Sequence, residues 1–173
     1  MPVWYPWGRN PRGDQDRLRC AYTGNLMLEH SLAGSEAGWR QRRRDRAVLL
    51  AVFSYRYDVE LVPGLLENIK PVVDGWVAFD DRKADGLFTS EPQRRRVLIE
   101  RARELGATWV LAIDPDERIE RGAATRIRNL TSERQRIIWE LNLREMFTPS
   151  AYRVDGIWGT KMQGRVFPVF EGA

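Results

Sequence analysis

The sequence predicts an α/β fold in which a mostly parallel sheet is flanked by helices. Three short apolar runs carry this prediction, at residues 47–53, 75–79 and 109–113, and each run ends at polar or acidic residues. Continuous apolar runs are typical of strands that are buried on both faces of a parallel sheet. Segments with helical periodicity separate the runs, so strand and helix alternate along the chain. We therefore expect the carboxyl ends of the three strands to meet at one edge of the sheet, where α/β proteins bind ligands.

The composition is typical of a soluble globular domain, since 43% of the 173 residues are hydrophobic and 30% are charged. The longest apolar run, Ala47–Phe53, is much shorter than a membrane span, and the N-terminus lacks the pattern of a signal peptide. We therefore expect a cytoplasmic protein with no transmembrane segment. The single cysteine, Cys20, and the single histidine, His30, exclude an intrachain disulfide framework and a Cys/His zinc cluster.

The net charge of +4 raises the question of nucleic-acid binding, because arginines cluster at residues 40–46 and 94–96. Aromatic residues do not alternate with these basic runs, and the sequence contains no helix-turn-helix, zinc-finger or RNP motif. We do not expect nucleic acid as a partner. A basic surface also favours an anionic nucleotide ligand.

Residues 1–46 show no sustained helical or strand periodicity and are rich in Gly, Pro, Arg and scattered aromatic residues. They are predicted to form an irregular N-terminal extension. Within it, the apolar residues between Leu26 and Leu32 indicate a short helix or strand that packs against the main domain, residues 47–173.

The main domain begins with a strand at residues 47–54 and a helix whose apolar face runs from Leu61 to Ile69 and which ends at Pro71. The second strand, residues 75–79, ends at Asp80 and Asp81, and Asp85–Gly86 indicates a turn. A longer helix is predicted from the cap Ser90 to Gly106. Beyond the third strand, residues 122–129 indicate a helix, and strands are predicted at residues 135–143, 152–158 and 165–170.

The third strand, residues 109–113, leads directly into Asp114, Pro115, Asp116 and Glu117. Three carboxylates within four residues repel one another unless a cation lies among them, and Asp-x-Asp offers oxygen ligands to Mg²⁺ or Mn²⁺. The alternative is an acidic loop that caps the next helix after a core strand.

Three motifs in this order resemble the nucleotide-binding half of family 2 glycosyltransferases, which have the GT-A fold. The segment Y-R-Y-D-V-E-L-V-P-G-L-L-E-N-I after the first strand is similar to R-N-E-x-x-x-L-P-x-L-L-E-S-L. The segment F-D-D-R-K-A-D-G is similar to V-D-D-G-S-x-D-G, and I-D-P-D-E-R is similar to D-x-D or D-A-D-E. The resemblance covers residues 47–130 and departs from the family pattern at Tyr57 and at Arg82–Lys83.

The resemblance implies a GT-A-like domain at residues 47–173, which we expect to be cut short on its acceptor side. It implies transfer of a sugar from a UDP-, GDP- or dTDP-sugar to a hydroxyl of a glycan, lipid or protein acceptor. A divalent Mn²⁺ or Mg²⁺ ion would be held at the Asp-x-Asp motif and would stabilise the diphosphate leaving group.

The resemblance also implies roles for individual residues near the donor. Arg56 and Asp58 would surround the nucleotide base, and Asp80 would contact the base or ribose. Asp114 would reach the ribose or the metal, and Asp116 would bind the metal.

Two arginines are candidates for the diphosphate by the same resemblance. Arg95 lies where relatives carry an arginine at a helix start, although its alternative is a plain surface position. Arg165 in G-R-V-F resembles a late family segment near the phosphates.

An inverting transferase needs a general base, and the candidates are Asp155, Glu145 and Glu117. Asp155 lies in Y-R-V-D-G-I-W-G, which resembles an acceptor wall, but Asp155–Gly156 is equally typical of a plain turn. Glu117 could instead lie at the periphery of the metal or orient the acceptor.

Two other functions remain open on the sequence alone. The chain could be a domain that only binds a nucleotide sugar, or an incomplete fragment of a longer enzyme. A phosphatase of the haloalkanoate dehalogenase type also places D-x-D after a strand, but Arg118 occupies the position where that motif has Thr or Val.

Overall fold

A computed structural model of the chain describes residues 21–23, 26–83, 91–132 and 136–170. Three of its helices have 3-10 geometry, at Val59–Leu61, Asp81–Lys83 and Gly156–Gly159. The remaining elements, in chain order, are β1 (Ala21–Thr23), β2 (Leu26–Leu32), α1 (Glu36–Asp45), β3 (Leu49–Tyr55), α2 (Val62–Ile69), β4 (Gly75–Asp80), α3 (Glu91–Glu104), β5 (Trp109–Ala112), α4 (Ala123–Leu130), β6 (Trp139–Asn142), β7 (Met146–Thr148), β8 (Ala151–Tyr152) and β9 (Met162–Pro168).

Seven strands form one sheet in the order β1-β2-β4-β3-β5-β9-β6, and β7 and β8 form a separate two-stranded ribbon. The predicted α/β class is confirmed, but the prediction of a mostly parallel sheet is wrong. Among the described strands of the large sheet, β3 is parallel to β4 and β5, whereas the other four pairings are antiparallel. The helical crossovers that parallel strands need connect only β3, β4 and β5.

The three central strands are apolar on both faces because helices cover both sides of the sheet. On one side, Phe53 and Trp109 pack with Leu65 of α2 and with Ile127 of α4. On the other side, the core is built from β2, β3, β4, β5, α1 and α3. Its buried members include Leu50, Phe79, Val110, Leu98 and Trp39.

The short helix or strand predicted between Leu26 and Leu32 is present as the strand β2, whereas the helix α1 contradicts the prediction that the rest of residues 1–46 is irregular. The strand β2 pairs antiparallel with β4, so the boundary placed after residue 46 falls within one continuous sheet. The helix α1 begins at the cap Ser35, and its buried Trp39 donates a hydrogen bond from Nε1 to the Leu105 carbonyl, 3.1 Å away. Trp39 is the one buried residue of α1, so the helix has no apolar stripe for the sequence to reveal.

The C-terminal predictions are confirmed in part. The strand β6 lies within the strand predicted at residues 135–143, and β9 overlaps the strand predicted at residues 165–170. The helix α4 matches the helix predicted at residues 122–129 within one residue. The strand predicted at residues 152–158 is wrong, because only Ala151–Tyr152 pairs as a strand and Gly156–Gly159 forms a 3-10 helix. The predicted Asp85–Gly86 turn and Ser90 cap lie outside the described residues. Among the described helices, none combines the length and the apolar character that crossing a membrane requires.

The buried His30 on β2 should make the stability of the fold depend on pH. Neither ring nitrogen has a hydrogen-bond partner in the part of the chain that the structure describes. Burial, with a smaller contribution from the positive charge of Arg101, lowers the pKa of His30 from 6.5 to about 4. The folded protein therefore holds the neutral ring at pH values where the unfolded chain is already protonated.

We expect the free energy of unfolding to fall by about 2 kcal/mol between pH 7 and pH 5 because of this group. Neutral His30 lowers the stability of the fold very little above pH 6.5, the pKa of the unfolded chain. The free energy of unfolding then decreases as the pH falls from 6.5 towards 4, the pKa of the folded protein. Urea denaturation of wild type and His30→Leu at each pH would measure it, because the variant should lack this decrease. An equal decrease in both proteins would assign the pH dependence to other groups.

Candidate functional site

The parallel strands β3, β4 and β5 end at the same edge of the sheet, as the sequence predicts. Arg56 follows β3, Asp80 ends β4 and is followed by Asp81, and the acidic loop, defined as residues 114–119, follows β5. The candidate site is therefore assembled from three chain segments that are distant in sequence.

The acidic loop is fixed to α2 by polar contacts that the sequence does not reveal. Arg118 donates from Nη1 to the carbonyls of Pro115 and Glu117, each at 2.6 Å, and from Nη2 to the Leu61 carbonyl at 3.2 Å. The Asn68 amide accepts from the Ile119 N–H at 2.7 Å and donates to the Ile119 carbonyl at 3.0 Å. These bonds connect both halves of the loop to the helix, so its carboxylates project from a supported backbone.

Glycine at position 64 allows this contact between loop and helix. A Cβ atom at Gly64 would lie 2.9 Å from Nη2 of Arg118, too close for ordinary van der Waals contact. A side chain at this position would therefore displace the end of the flexible Arg118 side chain.

Arg165 of β9 joins Asp114 and Glu117 into one charged cluster. Its Nη2 lies 3.3 Å from Oδ2 of Asp114 and donates to Oε1 of Glu117, while Oε2 of Glu117 accepts from the Asp114 N–H at 2.9 Å. The side chain of Arg165 is only 7% exposed, compared with 17% for Glu117 and 57% for Asp114. The structure therefore brings together three of the predicted site residues.

A β-bulge in the β6–β9 pairing is centred on Arg165. Trp139 is opposite Val166, whereas its neighbour Glu140 is opposite Gly164, so Arg165 is an extra residue on β9. Bulges redirect side chains and occur frequently beside active sites. No pattern in the sequence predicts this bulge.

Glu117 has an environment that favours its neutral form. Burial raises the pKa of the Glu117 carboxyl, and the neighbouring charges of Asp114 and Asp116 act in the same direction. The hydrogen bond from the Asp114 N–H and the charge of Arg165 oppose this shift without reversing it. The mutual repulsion that the sequence predicts among the three acids is thus present in the folded chain.

Asp80 does not lie open to a ligand. Its side chain is 0% exposed, and its carboxylate accepts two hydrogen bonds of 2.8 Å from the guanidinium of Arg82. Arg82 also lies over the ring of Tyr55, with its Cζ 5.2 Å from the ring centroid. A direct contact between Asp80 and a nucleotide, which stays a prediction, would require Arg82 to move.

Asp81 lies next to arginines from two other segments. Nη1 of Arg56 is 3.9 Å from Oδ2 of Asp81, and Nη1 of Arg94 at the start of α3 is 3.5 Å from the same oxygen. The backbone N–H of Arg56 donates to Oδ1 of Asp58 at 2.8 Å, so Asp58 shapes the turn after β3.

The predicted Arg95 lies on a different face of α3 from Arg94. It pairs with Glu91 on its own helix at 2.6 Å and lines a groove between α3 and residues 168–170. The structure supports its alternative assignment as a surface residue. Arg94, which no motif in the sequence singles out, approaches Asp81 from this helix.

Asp114 and Asp116 carry the exposed carboxylates of the loop and fit a divalent ion that arrives with a diphosphate. Such an ion needs only one or two carboxylates, since phosphate oxygens and water complete its coordination. The described residues contain no group of three or more His, Cys, Asp or Glu side chains that would hold a metal by itself.

The candidate bases Glu145 and Asp155 lie together around Arg153. Two bonds of 3.0 and 2.8 Å link Arg153 to the Asp155 carboxylate, and a third of 3.2 Å links it to Glu145. The Arg153 hydrogen bonds hold the pKa of Asp155 below its usual value, which makes this carboxylate a weaker base. Asp155 also directly precedes the 3-10 helix at Gly156–Gly159, as the alternative of a turn residue implies.

The fold and this edge define an α/β protein with a composite acidic and basic site. Comparisons of the chain with protein-family models, with curated proteins and with solved structures give no match. Its function must therefore be argued from the chemistry of the site itself.

Proposed function

We propose that the protein transfers a sugar from a nucleoside-diphosphate donor, bound with a divalent cation at the edge where β3, β4 and β5 end. The observation that carries the proposal is the supported acidic loop after β5, whose Asp114 and Asp116 are exposed and whose Asp114 contacts the buried Arg165. Oxygen ligands and a guanidinium in one place suit a magnesium or manganese diphosphate, which presents a cation and anionic oxygens together.

Three arginines at two positions near the strand ends support the same ligand. Arg56, Arg94 and Asp81 form a cluster near the ends of β3 and β4, and Arg165 of β9 contacts the loop after β5. Guanidinium groups offer planar paired donors that match phosphate oxygens. Donors at both positions suit a nucleotide that extends along the edge of the sheet.

In the reaction, the bond between the anomeric carbon and the diphosphate oxygen breaks, a bond forms between that carbon and the acceptor oxygen, and negative charge develops on the leaving diphosphate. Asp114 and Asp116 would hold the cation, which supplies Lewis-acid stabilisation of that charge when it is bound. Arg165 would contribute a second positive charge in a largely buried position, where electrostatic interactions are stronger than in water. An acceptor hydroxyl must also lose a proton, and Glu117, Glu145 and Asp155 remain the candidate bases.

A thermal-shift panel tests donor binding. We expect one of UDP, GDP, CDP and dTDP, with Mn²⁺, to raise the melting temperature of the wild-type protein. A ligand at 100 times its dissociation constant adds about 2.7 kcal/mol, which corresponds to roughly 5–10 °C for a chain of this size.

Mn²⁺ alone and a single-stranded oligonucleotide serve as controls, and neither should reproduce the shift. A shift with the oligonucleotide but with none of the four diphosphates would overturn the proposal. Once a diphosphate is identified, release of that diphosphate from the matching nucleotide sugars would report turnover. A diphosphate that binds without any turnover would identify a binding domain instead of a transferase.

A further inference from the structure

Arg165 occupies the position of a counter-charge within the acidic loop. Its Nη2 contacts both Asp114 and Glu117, two of the three carboxylates that would otherwise repel one another. Arg165 is the extra residue of the β-bulge in β9, and its side chain is largely buried against the loop. In the folded chain, the positive charge of Arg165 thus offsets part of the negative charge of the acidic loop.

This contact places Arg165 in competition with a bound metal ion. A divalent cation at Asp114 would need the carboxylate whose Oδ2 already lies 3.3 Å from the guanidinium. The two positive charges would also repel each other at such short range. Metal binding to the ligand-free protein is therefore disfavoured as long as Arg165 stays on the loop.

Arg165 also has hydrogen-bonding capacity that the loop does not use. Its Nε is buried and has no hydrogen-bond partner among the described residues. Buried polar groups of this kind are rare, because an unsatisfied donor costs free energy. A diphosphate oxygen could accept from Nε and from a terminal nitrogen at once, in the paired geometry typical of arginine and phosphate.

We propose that Arg165 exchanges between two anionic partners, the carboxylates of Asp114 and Glu117 in the ligand-free protein and the diphosphate in the loaded protein. The exchange rests on the proposed function, and it makes the metal and the diphosphate depend on each other. The diphosphate draws Arg165 away and frees the carboxylates for the cation. By thermodynamic linkage, the cation strengthens diphosphate binding by the same factor.

Mn²⁺ binding without nucleotide tests the exchange most directly, with free Mn²⁺ measured by electron paramagnetic resonance. We expect Arg165→Gln to bind Mn²⁺ about tenfold more tightly than wild type, within the usual range of coupling between sites. Arg165→Lys keeps the positive charge and should remain close to wild type. If Arg165→Gln binds Mn²⁺ no more tightly than wild type, Arg165 does not compete with the metal and the proposal is wrong.

Arg96→Gln is the matched control for net charge. Arg96 lies on the exposed surface of α3 and pairs with Glu100 at 3.1 Å, so its removal changes the charge of the protein equally but at a distance from the loop. Its Mn²⁺ affinity should equal that of wild type. An increase as large as that of Arg165→Gln would show a general effect of charge and would overturn the exchange.

Wild-type protein provides a second measurement that needs no substitution at a buried position. Its Mn²⁺ affinity should rise at least tenfold when the diphosphate selected by the thermal-shift panel is added. Equal Mn²⁺ affinities with and without that diphosphate would contradict the exchange, even if Arg165→Gln does not fold. If no diphosphate binds, the proposed function fails by itself, while the comparison of Mn²⁺ affinities still decides whether Arg165 is a competing cation.

Discussion

Replacing Asp74 with asparagine should lower the free energy of unfolding by about 3 kcal/mol, the lower end of the range for breaking a buried ion pair. Asp74 precedes β4, at the opposite end of that strand from Asp80, and its side chain is only 2% exposed. Its carboxylate pairs with Arg46 at 2.5 Å and Arg128 at 2.9 Å and accepts from the Leu49 N–H at 3.0 Å. Asparagine keeps the shape but leaves these arginines without their counter-charge. The loss should lie at the lower end of that range because Arg46 and Arg128 are partly exposed, so water screens their charges.

The contribution of Asp74 should disappear in acid. Burial alone would raise its pKa, but the hydrogen bonds from Arg128, the Leu49 N–H and Arg46 outweigh burial and hold the pKa below its usual value. A carboxylate with a lowered folded pKa stabilises the protein above the unfolded pKa, about 4, and loses that effect as the pH falls through the folded pKa. The difference between wild type and Asp74→Asn should therefore be constant above about pH 5 and decrease below about pH 4. The decrease caused by His30 occurs at higher pH, so the two effects are separable.

Urea denaturation at pH 7 measures the loss, and Asp155→Asn is the matched control. Asp155 is also bound by an arginine through two hydrogen bonds, but this pair lies in water. Exposed ion pairs contribute little to stability, so the control should unfold at the wild-type midpoint. If Asp74→Asn and Asp155→Asn had the same free energy of unfolding, burial of Asp74 would not explain its contribution to stability.

The sequence predicts those parts of the fold in which local pattern and burial agree. The strands β3, β4 and β5 were visible because each is a continuous apolar run, and the convergence of their ends follows from parallel pairing. The sequence does not predict the helix α1, and it leaves open whether β2 is a strand or a helix. Both elements are held by tertiary contacts, such as the antiparallel pairing with β4 and the buried Trp39, that leave little periodicity in the sequence.

In the candidate site, too, the sequence predicts individual residues but not the tertiary contacts between them. Asp114, Glu117 and Arg165 were selected as separate candidates, and the structure brings them together. The supporting contacts of Arg118 and Asn68 were not predicted, because they join segments more than 50 residues apart and depend on backbone carbonyls. Arg94 approaches Asp81 whereas its neighbour Arg95 pairs with Glu91, because one residue corresponds to about 100° around a helix. Sequence pattern thus identifies the strand ends, whereas three-dimensional packing decides which neighbouring side chains reach them.

Asp116→Asn should weaken binding of the diphosphate with Mn²⁺ by on the order of 100-fold, which corresponds to about 2.7 kcal/mol. Asp116 is exposed on the supported loop, and the variant removes one of the two anionic ligands available to a shared cation. The fold should be preserved and the ligand-free protein slightly stabilised, because the charge of Asp116 is one of those that raise the pKa of buried Glu117. The arginines that would contact phosphate are unchanged, so binding in the presence of EDTA should equal that of wild type.

Isothermal titration calorimetry with the diphosphate, once with Mn²⁺ and once with EDTA, separates the metal-dependent part of the affinity from the metal-independent part. Glu120→Gln is the control, since Glu120 is an exposed acid just beyond the acidic loop and its loss changes the net charge equally. This control should bind like wild type under both conditions, because its carboxylate is not among those assigned to the cation. Wild-type affinity of Asp116→Asn in Mn²⁺ would remove Asp116 from the metal site. A loss of diphosphate affinity that persists in EDTA would show that Asp116 contacts the nucleotide itself. Only a loss of affinity that requires Mn²⁺ would therefore show that the loop after β5 holds the cation.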